Sequence, residues 1–194
     1  MDQQSPIAIV LLAAGESSRL GRPKQLLRYK GKSLLAHMVE IALASKADST
    51  YVVLGAHLQE LKSELDDPRV YIVENKDWQA GMSSSLQAGI KALPAMTHAA
   101  LILLCDQPLT TTILLDTIIS TYRSSGYPIV ACEYASTVGV PALFSRRFFQ
   151  EFLVLSGDKG AKQIIQRHAR DVVTVPFPDG AVDIDMESDL DRLP

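Results

Sequence analysis

A chain of 194 residues has the length of one α/β domain with a sizeable core, and 47% hydrophobic against 21% charged residues is an ordinary globular balance. A net charge of −3 argues against a general nucleic-acid binder, which needs a basic stripe to displace counterions. Two cysteines, Cys105 and Cys132, lie in or beside apolar runs and form no disulfide or metal framework. No stretch reads as a signal peptide or a membrane span, so the expectation is a cytoplasmic protein with neither nucleic acid nor membrane as partner.

In chain order, residues 7–13 read as a buried strand followed by a polar, glycine-bearing loop. Leu34, Leu35, Met38, Val39, Ala42 and Leu43 recur at helical spacing, with Ser33 placed as N-cap. A strand at 51–54, a helix over about 57–65 and a strand at 70–74 follow. A helix over about 83–93 then leads to the most apolar strand, 99–104. Leu114, Leu115, Ile118, Ile119 and Tyr122 mark another helix. Strands are expected at 129–132 and 140–144, helices at about 146–153 and 159–167, and strands near 172–175 and 182–184. Strands alternating with helices imply a single Rossmann-like, three-layer α/β/α domain over residues 1–194, with a mostly parallel mixed sheet.

In such sheets ligands sit beyond the carboxyl ends of the strands, where strand order reverses. The loop leaving the first strand runs Leu12-Ala13-Ala14-Gly15-Glu16-Ser17-Ser18-Arg19-Leu20-Gly21-Arg22-Pro23-Lys24-Gln25. Small residues at Ala13, Ala14 and Gly15 let backbone N–H groups approach an anion. Arg19 offers a planar fork to phosphate oxygens, and Lys24 a mobile point charge. Two commoner phosphate loops fail here. A dinucleotide fingerprint needs three glycines at closer spacing, and Gly31-Lys32-Ser33 lacks the first glycine of a Walker loop, because Leu26 stands there. Gly31 to Ser33 is better explained as a turn leading to the helix cap.

The pattern L-A-A-G-x-S-x-R-x-G-x-P-K resembles the signature of MobA-like nucleotidyltransferases. It is most similar to the molybdenum cofactor cytidylyltransferase, or MocA-like, branch, over about residues 7–190. The resemblance implies a fold of the nucleotide-diphospho-sugar transferase type. It also implies a nucleotide site at Leu12, Ala13, Ala14, Gly15, Arg19 and Lys24, with Arg19, Lys24 and Asp106 as catalytic residues.

An Asp at a strand end, such as Asp106 in Cys105-Asp106-Gln107-Pro108, is generic by itself. Facing a cationic phosphate loop, however, a carboxylate is out of place unless a divalent cation bridges them, as Mg2+ does with one or two carboxylates and phosphate oxygens. The C-D-Q-P sequence matches the family's metal-binding strand end, which implies Asp106 as a Mg2+ ligand. Asp183-Ile184-Asp185 is the natural second carboxylate source. Strand alternation would put both carboxylates on one face, and Asp185 is favoured over Asp183. The family's D-I-D-T-P-E-D-L reads D-I-D-M-E-S-D-L here, without the proline.

Serines at a helix start are usually caps. The run Gly81-Met82-Ser83-Ser84-Ser85 nevertheless resembles the family's base-reading segment, implying Gly81, Ser83, Ser84 and Ser85 as nucleotide-binding residues. Gly139-Val140-Pro141 and 157–162 resemble its acceptor-side elements, implying Gly139, Pro141, Gly160 and Lys162. Lys162 stands where the family usually has Arg and gives up bidentate phosphate contact. His37, His57, His98 and His168 have no ligand spacing and read as bystanders; Trp78 reads as a packing residue or the edge of the pocket.

The resemblance implies transfer of CMP from CTP to the phosphate of molybdenum-bound molybdopterin, with a molybdenum hydroxylase as a recipient of the product. The competing expectations are a transferase using GTP or a sugar or polyol phosphate, and a non-catalytic cofactor-insertion accessory protein. Carboxylates and cations in the motifs favour the enzyme.

Overall fold

The computed structural model describes residues 5–17, 20–184 and 189. Its strands are β1 (Ile7–Ala13), β2 (Arg28–Tyr29), β3 (Lys32–Ser33), β4 (Ser49–Leu54), β5 (Val70–Glu74), β6 (Ala99–Leu104), β7 (Ile129–Tyr134), β8 (Thr137–Ser145) and β9 (Val172–Pro176). The helices are α1 (Leu34–Leu43), α2 (Leu58–Lys62), α3 (Met82–Ala92), α4 (Thr112–Ser125), α5 (Phe149–Leu153) and α6 (Ala161–Arg167).

Seven strands form one sheet in the order β5-β4-β1-β6-β8-β7-β9. All pairings are parallel except those of β8, which runs antiparallel to both β6 and β7. The chain moves outward from β1 through β4 to β5, then returns to β6 on the other side of β1. The crevice between the ends of β1 and β6 is therefore the point of reversal.

Every residue of β1 is buried, and its alternation divides the core. Ile7, Ile9, Leu11 and Ala13 pack with residues of α1, α2 and α4 on one face. Ala8, Val10 and Leu12 pack with residues of α3, α5 and α6 on the other. Fully burying a side chain of leucine or phenylalanine size contributes roughly 1.5–3 kcal/mol, so these two apolar layers hold the strand ends in register. α1 begins at the expected cap: Ser33 Oγ accepts from the Ala36 N–H at 3.1 Å.

Three expectations change. The helix expected over 57–65 is the five-residue α2, because His57 stands at φ +60 and a turn over the next residues ends it early. The helix expected over 146–153 opens with a 3-10 turn, Arg146–Phe148, before α5. Residues 182–184 form no strand. After a 3-10 turn at Pro178–Ala181 they return to the end of β6, where the Ile184 N–H donates to the Asp106 carbonyl at 2.9 Å. Ile184 is fully buried, as its place between two aspartates suggests. The strand alternation expected to put Asp183 and Asp185 on one face is not seen at Asp183, which lies in irregular chain; Asp185 is outside the described residues.

Candidate active site

Backbone turns shape the loop after β1 before any ligand is considered. The Lys24 N–H donates to Ser17 Oγ at 3.0 Å, closing the loop on itself. Gln25, only 1% exposed, donates its Nε2 to the Ala13 carbonyl at 3.0 Å and the Gly15 carbonyl at 2.9 Å. These bonds anchor the base of Lys24 while its side chain reaches across the crevice. Lys24 Nζ lies 2.6 Å from Asp106 Oδ2 at the end of β6, with both side chains about one-fifth exposed. Asp106 Oδ1 is buried and has no hydrogen-bond partner among the described residues. A buried carboxylate oxygen without a donor is costly, and an oxygen-seeking cation satisfies it, so the donor chemistry fits a hard divalent ion. No group of three or more His, Cys, Asp or Glu able to hold a metal stands among the described residues. Arg19 and Asp185 lie outside them.

The Lys24–Asp106 pair lies in a cleft of about 390 Å3. Leu12, Ala13, Ala14 and Gly15 form one wall, Gly81 and Ser85 another, and Trp78, Glu16 and Asp158 also line it. Gly81 has φ +94, and a side chain there would stand 2.6 Å from Asp158 Oδ1 and from the Gly157 carbonyl. The start of α3 is thus packed directly on the 157–160 loop, whose Gly157 carbonyl also accepts from the Ser83 N–H at 3.1 Å. Asn75 organises the serines: its Nδ2 donates to Ser84 Oγ at 2.8 Å and Ser85 Oγ at 3.0 Å. Of the three serines expected at the nucleotide, only Ser85 lines this cleft; Ser83 and Ser84 line a separate groove with Lys76 and Leu155.

A smaller cavity of about 180 Å3 adjoins the cleft through the shared residues Leu12, Met82 and Leu104. Gly139, Gly160 and Lys162 meet here. Pro141 does not line it; it is buried in β8 after a cis Val140–Pro141 peptide. Gly139 has no room for a side chain, since a Cβ would stand 2.5 Å from the Tyr134 hydroxyl. Burial first, and then the nearby charges of Asp183 and Asp106, raise the Tyr134 phenol above its ordinary pKa.

Gln25, Asn75, Tyr134 and Met82 were given no role from sequence. Gln25 carried a weak signal, an uncharged polar residue between Lys24 and the apolar Leu26 and Leu27. Asp158, expected on the acceptor side with its loop, lines the larger cleft instead. Cys105 is buried, and burial followed by the Asp106 charge raises its pKa, so the thiol is protonated. The histidines stay outside both cavities. His37, for example, lies 3.0 Å from the Pro108 carbonyl and edge-on to Tyr29.

Comparison with known proteins gives this geometry a family. Across 100 aligned residues, 51% of its length, the chain is 42% identical to nicotine blue oxidoreductase of Paenarthrobacter nicotinovorans, covering 48% of that protein. This relative and several bifunctional GlmU proteins are matched over less than half of their own length. Whole-chain likeness comes from solved structures. Rv0371c of Mycobacterium tuberculosis H37Rv superimposes with TM-score 0.85 at 29% identity, covering 97% of each chain. Its manganese complex gives TM-score 0.80. The homologue from Mycobacterium sp. strain JC1 gives TM-score 0.86 at 33% identity, covering 97% of this chain and 95% of that one. These neighbours share the mostly parallel mixed sheet, and the model of the MobA-like NTP transferase domain matches residues 9–172. With the lysine of the loop after β1 and the carboxylate at the end of β6 meeting at the sheet's reversal point, the chain belongs to the MobA-like NTP transferase family.

Proposed function

We propose that residues 1–194 form a single cytoplasmic nucleotidyltransferase domain that transfers CMP from CTP to the phosphate of molybdenum-bound molybdopterin, releasing pyrophosphate. The observation that carries this reading is the Lys24–Asp106 pair, 2.6 Å apart in a cleft whose wall is the small-residue loop after β1. Lys24 and Arg19 neutralise the triphosphate, and the backbone of Leu12 to Gly15 cradles it. Asp106 and Asp185 hold Mg2+, with Asp183 as the weaker candidate. When bound, the cation supplies charge neutralisation at phosphate oxygens. The manganese complex of Rv0371c supports a divalent ion in proteins of this fold. The acceptor's phosphate is already ionised near neutral pH, so the protein's work is positioning and electrostatic stabilisation of the bridging oxygen as it leaves.

The acceptor occupies the second cavity, where Lys162 and Gly139 meet an apolar surface of Leu86 and Ile102; Gly160 and Pro141 shape its surroundings. Gly81 and Ser85 border the base, while Ser83 and Ser84 act through the helix start. Ala14 is buried and lines the cleft, and the preference for CTP is assigned to its methyl, which would crowd a purine's second ring. A molybdenum hydroxylase is the proposed recipient of the product.

A second reading retains the transferase but changes the acceptor to a sugar or polyol phosphate. The observation that favours it is Lys162, which replaces bidentate recognition with a point charge. Measuring kcat/KM with CTP, GTP, ATP and UTP at fixed Mg2+, for each acceptor class, separates these readings. CTP should be preferred by about a hundredfold, the scale of two unmade buried hydrogen bonds. Equal use of GTP overturns the cytidylyl assignment. Nucleotide binding without pyrophosphate release from any acceptor favours a non-catalytic accessory protein.

A further inference from the structure

The phosphate-loop lysine and the strand-end carboxylate are both assigned to substrate, yet they are engaged with each other. Lys24 Nζ and Asp106 Oδ2 are in direct contact at 2.6 Å, and partial burial shields the pair from water. The far oxygen, Oδ1, is buried and has no hydrogen-bond partner among the described residues. Lys24 is fixed at its backbone, where its N–H is held by Ser17 and its neighbour Gln25 clamps two loop carbonyls. Its four-carbon stem carries the ammonium across the crevice to Asp106.

A divalent cation arriving alone on Asp106 would meet the Lys24 ammonium on the same carboxylate, with no anion between the two positive charges. A triphosphate changes this balance, because it carries more negative charge than Asp106 and offers the ammonium anionic oxygens of its own. We propose that Lys24 and the divalent cation are exchange partners on Asp106. Lys24 moves from Asp106 to the phosphates as the cation takes the carboxylate, so metal and nucleotide bind as a coupled pair. This rests on the metal and phosphate roles proposed above and adds the order they impose: either component alone binds weakly. Because coupling is reciprocal, Lys24 lowers metal affinity without nucleotide by the same contact through which Asp106 lowers affinity for metal-free nucleotide.

The test uses the full chain and two probes, Mn2+ without nucleotide, followed by the paramagnetic signal of the free ion, and CTP in excess chelator, followed by calorimetry. Lys24→Met should bind Mn2+ about tenfold or more tightly than the parent, and Asp106→Asn should lose it. Asp106→Asn should bind metal-free CTP several-fold more tightly, a gain absent from the Lys24→Met/Asp106→Asn double variant. Lys24→Gln serves if the methionine variant does not fold, and the CTP arm with Asp106→Asn tests the exchange without either. Unchanged or weaker Mn2+ binding in the Lys24 variants, with Mn2+ still lost in Asp106→Asn, overturns the exchange and leaves the metal assignment in place. Equal Mn2+ binding in the parent, Lys24→Met and Asp106→Asn overturns the metal assignment, and the exchange with it.

Discussion

The two cavities that meet at Leu12, Met82 and Leu104 differ in their chemistry. The larger one contains Lys24, Asp106, Glu16 and Asp158 over a floor of backbone and small side chains. The smaller is lined by Leu86, Ile102 and Val140, with Lys162 and Tyr134 as its polar groups. One compartment brings opposite charges together, and the other sets a single lysine against a mostly apolar lining. Met82, 42% exposed and common to both, stands at their border. If, as proposed, the charged cavity carries the chemistry and the apolar one the acceptor, substitutions in the two cavities should affect different kinetic constants.

The largest expected effect is in the charged cavity. Asp106→Ala should lower kcat by about a thousandfold, at the upper end of what removing one electrostatic stabiliser costs, with little change in melting temperature. Retention of more than about a tenth of the turnover, a barrier change below ~1.4 kcal/mol, would place the charge-dependent step elsewhere.

Gln25→Leu is the next largest and should appear in stability as well as rate. The Ala13 and Gly15 carbonyls would lose their buried donor, which costs roughly 1–3 kcal/mol and is visible as a lower melting temperature together with weaker nucleotide binding. An unchanged melting temperature would make the Gln25 clamp dispensable. In the apolar cavity, Lys162→Ala should raise the acceptor KM by about tenfold, the scale of one charge-assisted hydrogen bond, and leave the nucleotide KM unchanged. A change confined to the nucleotide KM would reverse the division between the cavities.

The smallest effect is expected from the thiols. Cys105 and Cys132 are buried, and burial holds their pKa values up, Cys132 to about 12. From neutral pH to pH 9 the folded protein should therefore react negligibly with a thiol reagent, and both cysteines should react after denaturation. Rapid modification of Cys105 in the folded protein would show that the floor beside Asp106 opens.

Much of this layout was legible in the sequence because strand burial and helix periodicity leave strong patterns. β1, β5 and β6 fall at their expected bounds, and Ser33 caps α1 as its position indicated. Lys24 and Asp106 could be associated because both stand in family-like motifs and a carboxylate facing a cationic loop calls for a bridging cation. Single contacts were not legible. Gln25 and Asn75 work by donating to particular carbonyls and hydroxyls in nearby turns of the chain, and no sequence pattern marks such partners. The tail was misread at 182–184 because an apolar residue between two aspartates fits a short strand and an anchored irregular segment equally well. The deciding bond, Ile184 to the Asp106 carbonyl, is tertiary. The serine run was divided for a similar reason: helix geometry turns Ser85 to the cleft and Ser83 and Ser84 to another groove.

The central claim is nucleotidyl transfer at the crevice between β1 and β6, and following the label of α-labelled CTP tests it most directly. With Mg2+ and molybdenum-bearing molybdopterin, the protein should form a labelled cytosine dinucleotide and an equal amount of pyrophosphate, and Asp106→Ala should form neither at a comparable rate. Equal product from Asp106→Ala, or pyrophosphate released without label in the acceptor, would contradict the account.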